Sequence, residues 1–209
     1  MKIIVFGASG GTGKEIVKQA LEAGHEVTAF VRNPAKVVIQ HPKLKLVTGD
    51  VMVAAAVEEA VAGQEAVISA LGPTRPPMPA MMEMAAQNIV VAMKKAGIRR
   101  LISTTGAGVR DPQDQPKLID HLMKGLLSLL AGDVLRDSAA NVDVIRASDL
   151  DWTIVRYPRL LDGAHTGTYR VGFIGKDSGS QLSRADGADF VLRELAEGKY
   201  LQRMPVVSY

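Results

Sequence analysis

The sequence predicts an α/β protein: one domain with a doubly wound, mostly parallel sheet and helices on both faces. Three observations lead there. Short, nearly continuous apolar runs alternate with amphipathic stretches along the chain, the pattern of parallel strands buried on both faces and joined by crossover helices. A glycine-rich turn, Gly7-Ala8-Ser9-Gly10-Gly11-Thr12-Gly13, separates the first apolar run from the first amphipathic stretch. The length of 209 residues, 47% of them hydrophobic, suits a single domain with a sizeable core.

Strands are expected at Lys2–Phe6, Glu26–Val31, Leu44–Val47, Ala66–Ala70, Arg100–Ser103 and Trp152–Arg156. The helix after the glycine turn gathers Ile16, Val17, Ala20 and Leu21 on one face, with Gly24 at its C-terminal cap. A second helix spans Met81 to Ala96 and stops at Gly97. A third runs from about Pro116 to Ala147, its apolar stripe formed by Leu118, Ile119, Leu122, Met123, Leu126, Leu127 and Leu130, with a break or kink expected at Gly132-Asp133. That stripe suits core packing first and a dimer contact second. Ser183-Arg184-Ala185-Asp186 reads as a structural capping box opening a helix through Leu195. In an open parallel sheet, ligands sit beyond the carboxyl ends of the strands. The segments near 72–80, 106–118 and 158–180 are therefore candidates for a substrate rim, with ordinary surface loops the competing reading.

Composition removes several functions. The chain has no cysteine, which excludes disulfides, thiolate nucleophiles and Cys-type zinc sites. Its net charge of +3 is scattered among acids, and only 4% of residues are aromatic, so neither a basic footprint nor a stacking platform for nucleic acid stands out. The apolar run before Gly7 is too short for a signal peptide or a membrane span. A cytoplasmic monomer or homodimer acting on a small molecule is expected, with no nucleic-acid or membrane partner. His25 and His165 have no partner at ligand spacing, and no metal is assigned. His121, on the leucine-rich helix, and Met78, Met81, Met82 and Met84 read as packing residues before they read as catalytic or substrate-lining ones.

The glycine turn carries the chemistry. Gly7, Gly10 and Gly13 give the spacing GxxGxxG between an apolar strand and a helix. Turns without side chains let a pyrophosphate approach the backbone, and the helix's free N–H groups and dipole favour its charge. A Walker A loop is excluded: its first glycine would fall at Ala8, and Lys14 is followed by Glu15, which has no hydroxyl for Mg²⁺. At the end of the second strand, where an acid would hold the ribose diol of NAD, the sequence has Arg32. A guanidinium fork suits the 2′-phosphate of NADPH. Ser9 and Lys36 are candidates to assist it, and a solvated strand-end arginine is the bland alternative.

GASGGTG, together with Ala23–Pro34, Gly49-Asp50-Val51 and Leu150–Pro158, resembles the atypical short-chain dehydrogenase/reductase superfamily with its Rossmann fold. The nearest branches are the NmrA-like and the biliverdin reductase B or flavin reductase types. The resemblance implies roles. Gly7 to Gly13, with Gly11 and Thr12, would hold the pyrophosphate; Asp50 and Val51 would border the adenine. Ala70, Leu71 and Gly72 would line the adenosine ribose side. Thr104 and Thr105 would face the nicotinamide ribose and substrate, and Tyr157 and Pro158 would flank the nicotinamide. Thr105 falls where the biliverdin reductase B branch has a catalytic serine.

One departure bears on the reaction. Ordinary short-chain dehydrogenases use Tyr-x-x-x-Lys to protonate a carbonyl, yet here Tyr157, Tyr169 and Tyr200 are followed four positions on by Leu161, Phe173 and Met204. Two readings fit a dinucleotide site without that pair. One is NADPH-dependent hydride transfer to a flat acceptor such as a flavin or quinone, with Thr105 orienting it. The other is an NmrA-like NADP(H) sensor without turnover.

Overall fold

The computed structural model describes residues 1–74, 76–116 and 118–209, without the side chains of 118–131. The stripe Leu118–Leu130 and the His121 side chain therefore lie outside the described residues. Strands β1 (Lys2–Phe6), β2 (Glu26–Val31), β3 (Leu44–Thr48), β4 (Ala66–Ser69), β5 (Arg100–Gly106) and β6 (Asp151–Tyr157) are joined by helices α1 (Gly11–Glu22), α2 (Ala54–Val61), α3 (Met81–Ala96) and α4 (Leu118–Arg146), with a 3₁₀ turn at Pro34–Lys36. The remainder is β7 (Arg159–Leu161), β8 (Arg170–Gly172), β9 (Gln181–Ser183), α5 (Arg184–Glu197) and β10 (Val206–Ser208).

The main sheet has eight strands in the order β3-β2-β1-β4-β5-β6-β10-β8. All neighbours are parallel except β10 with β8. The order reverses between β1 and β4, and a cleft opens at such a switch point beyond the strand ends. The apolar faces explain the layering. Ile4, Phe6, Val67, Leu101 and Ile154 point to one side and pack against α2, α3 and α4. Ile3, Val5, Ile68, Ile102 and Val155 point to the other and pack against α1 and α5. Alternate residues of each strand thus feed two cores, so the runs are apolar at every position.

Two expectations change. Helix α4 continues through Gly132 and Asp133, where a break was anticipated. Its flank packs on α3: Asp137 accepts the Met82 and Glu83 N–H groups at 3.0 and 3.1 Å, and Asn141 donates to the Met82 carbonyl at 2.7 Å. These contacts outweigh the roughly 1 kcal/mol that a mid-helix glycine costs. Helix α3 has no local cap, since Ala80 before it is left-handed at φ 55°; α4 supplies the cap instead. The capping box at Ser183 is half made. Ser183 Oγ accepts the Asp186 N–H at 3.0 Å, whereas the Asp186 carboxylate turns to other partners.

Candidate cofactor and acceptor cleft

The glycine turn is built by close approach. Gly7 is left-handed at φ 77°, and a Cβ there would stand 2.4 Å from the Ala70 carbonyl oxygen. A Cβ on Gly13 would stand 2.1 Å from the Gly7 carbonyl oxygen. The loop therefore folds back against the end of β4, and α1 starts directly beneath it. Gly10 precedes the helix, and no side-chain cap hydrogen bond is made there. This backbone cradle fits a pyrophosphate.

A cleft of about 400 Å³ opens above the cradle. Gly7, Ser9, Gly10, Gly11 and Thr12 form its floor, and Arg32 closes one end. Arg32 is exposed and, among the described residues, makes no ion pair. Asp50 and Val51 border the same end. Their turn is fixed by Asp50 Oδ1, which accepts the Met52 N–H at 2.9 Å, and by Asn88, which donates to the Val51 carbonyl at 2.8 Å. Ala70, Leu71 and Gly72, at the end of β4, line the middle. Gly13 is buried below the loop, with a packing role, and Lys36 does not line the cleft.

Across Ala70–Pro73 and Leu160 a second chamber of about 240 Å³ continues the first. Thr104, Thr105, Tyr157 and Pro158 line it, so the sequence-predicted residues for the two ends of a dinucleotide fall at the two ends of one groove. Among the described residues, neither the Thr104 nor the Thr105 hydroxyl has a hydrogen-bond partner. Among the described residues, Tyr157 is the one ionisable residue that lines the chamber. Its hydroxyl donates to the Gly187 carbonyl at 2.8 Å, and burial pushes its pKa well above the ordinary phenol range. Its proton is committed to the Gly187 carbonyl. Met81 and Met82 are buried and each lines one of the cavities, while Met78 sits exposed on the rim.

The wall behind Thr105 is held by a buried ion pair. Arg156, paired in register with Thr105 across β5 and β6, is fully buried. Its two terminal nitrogens each donate to Asp114 at 2.7 Å, Nε donates to the Met204 carbonyl at 2.7 Å, and Nη1 also reaches the Val109 carbonyl at 3.1 Å. Asp114 further accepts the Asp111 and Ile174 amides. Burial alone would raise the Asp114 pKa, but the Arg156 fork and those amides outweigh it and hold the carboxyl below its usual range. The loop after β5 and the turn after β8 are thereby tied to one strand.

Sequence reasoning missed two cleft residues. Ser138 faces the acceptor chamber from α4, on the stretch where a break was expected. Arg184, assigned to capping alone, lines the cofactor cleft opposite Arg32. The superfluous glycine of the loop, Gly11, was the one signal for it.

The chain belongs to the NAD(P)H-binding family, whose model matches residues 7–198. The uncharacterized protein YwnB of Bacillus subtilis (strain 168) is 32% identical over 221 aligned residues, covering 100% of this chain and 99% of its own. A short-chain dehydrogenase/reductase (wide type) from Veillonella parvula DSM 2008, solved in complex with NADP, superposes with a TM-score of 0.83 at 20% identity, over 99% of this chain and 94% of that one. ChuY, an anaerobillin reductase from Escherichia coli O157:H7, gives 0.78 at 23% identity, over 100% and 97%. At those identities the likeness is one of fold. The expected dinucleotide-binding Rossmann domain is thus borne out as an NAD(P)H-binding family member with that fold. No described helix is long and apolar enough to cross a membrane.

Proposed function

We propose that the protein is an NADPH-dependent reductase that passes hydride to a small flat acceptor such as a flavin or quinone. The observation that carries this reading is the acceptor chamber, which offers the Thr104, Thr105 and Ser138 hydroxyls and, among the described residues, no carboxylate, histidine or lysine to protonate a carbonyl. When bound, NADPH supplies the hydride. Arg32 reads its 2′-phosphate, the loop amides hold its diphosphate, and Thr105 orients the acceptor by a hydrogen bond. An acceptor whose reduced anion spreads over a ring takes its proton from water, so orientation is the protein's main contribution.

The test is NADPH oxidation with a panel of flavins and quinones. Saturable turnover is expected, with Thr105→Val lowering kcat about tenfold, the scale of one hydrogen bond to a developing charge. Tight NADPH binding with no turnover on any acceptor would overturn the reductase and leave the sensor.

A further inference from the structure

The fourth glycine of the loop has no place in the GxxGxxG spacing, and its neighbour explains it. A Cβ on Gly11 would stand 2.7 Å from Arg184 Nε and 2.9 Å from Arg184 Cδ. The arginine stem thus lies against the first residue of α1, and a side chain there would push the guanidinium out of this position. Three features hold Arg184 there. Gln19 of α1 donates to the Ala185 carbonyl at 2.9 Å, joining the two helices. Ser183 caps α5 through the Asp186 amide. The small parallel sheet pairs Leu161 with Ser183, which brings the following residues, Asp162 and Arg184, side by side with Nη1 donating to Oδ1 at 2.6 Å.

That ion pair is weakly tied, because the Asp162 side chain is 96% exposed, and exposed pairs contribute about 0–1 kcal/mol. The guanidinium is therefore free to exchange one carboxylate for a better anion. It stands over the helix end that holds the diphosphate, across the cleft from Arg32. Resting on the dinucleotide reading above, we propose that Arg184 is a second cofactor-positioning residue, a clamp that closes on the diphosphate from the α5 side, and that Gly11 exists to seat it. A diphosphate clamp acts on both nicotinamide dinucleotides alike, whereas Arg32 separates them.

The test is the affinity of NADPH and NADH, each titrated by calorimetry into the wild type, Arg184→Ala, Arg184→Lys, Gly11→Ala and the double variant Gly11→Ala/Arg184→Ala. Arg184→Ala is expected to weaken both nucleotides by the same factor, about tenfold for a charge-assisted contact, leaving their ratio unchanged. Arg184→Lys should recover part of the loss. Gly11→Ala should weaken binding by displacing the arginine, and that loss should shrink when Arg184 is already absent. Wild-type affinity for both nucleotides in a folded Arg184→Ala protein would overturn the clamp, as would a selective loss of NADPH. If the wild type bound neither nucleotide, the functional reading itself would fall, a result distinct from either.

Discussion

Arg32 shows what one residue contributes to cofactor choice. It lines the cleft with Asp50 and Val51 and, among the described residues, makes no ion pair. Arg32→Ala is expected to weaken NADPH by about 1.5–3 kcal/mol, the value of a hydrogen bond to a charged group, and to leave NADH nearly unchanged. Fluorescence titration with both nucleotides measures the difference; equal losses would remove the phosphate-reading role. Arg32 was legible in the sequence because strand, turn and acid-or-arginine position follow one another within a single βαβ unit. Arg184 was not. It meets Gly11 across more than 170 residues of chain, and no local pattern encodes that packing. Ser138 was hidden for a different reason: it lies on the expected helix, but which face of that helix meets the strand ends is set by packing on α3 rather than by local sequence.

At the scale of elements, helices here borrow their ends from distant segments. Helix α3 takes its cap from Asp137 of α4. The start of α5 is buried around Asp186, whose carboxylate accepts from the Thr166 and Gly167 amides and the Thr166 hydroxyl at 2.8 Å each, and from the Tyr209 hydroxyl at 2.6 Å. The Tyr209 oxygen in turn accepts the Ser183 N–H at 3.2 Å, the contact that a capping box reserves for the acid itself. Burial alone would raise the Asp186 pKa, but these donors, Tyr209 foremost, hold it below the ordinary carboxylate range. A depressed native pKa means the folded protein releases this proton more readily than the unfolded chain. The associated stability is complete above the unfolded value of about 3.9 and is lost as pH falls through the native one. Asp186→Ala is expected to cost about 2 kcal/mol at neutral pH, since it leaves the Thr166, Gly167 and Tyr209 donors, part-buried in these bonds, without their acceptor. The variant should also lose part of the wild type's steep decline in acid, and urea midpoints across pH check both. An unchanged midpoint at neutral pH would contradict the assignment. The helix start at Ser183 could be read from the sequence; the true partners of Asp186, at 166, 167 and 209, could not.

Across the whole molecule, the parallel half of the sheet was legible because each strand is buried on two faces and so is apolar throughout. The three-residue strands β7 to β10 and the short, alanine-rich α2 carry too little periodicity to stand out. They nevertheless complete the cleft. β10 extends the sheet beyond β6, the β7–β9 pair delivers Arg184, and buried Arg156 of β6 fastens the loop after β5 through Asp114. Under the proposed function, Arg32 at one end of the groove would read a 2′-phosphate, and the Thr104, Thr105 and Ser138 hydroxyls at the other would meet the acceptor. The most direct test is calorimetric titration of the folded wild-type protein with NADPH and NADH in parallel. The account predicts saturable binding of both, with NADPH tighter by about tenfold or more. No heat of binding from either nucleotide at millimolar concentration would contradict it.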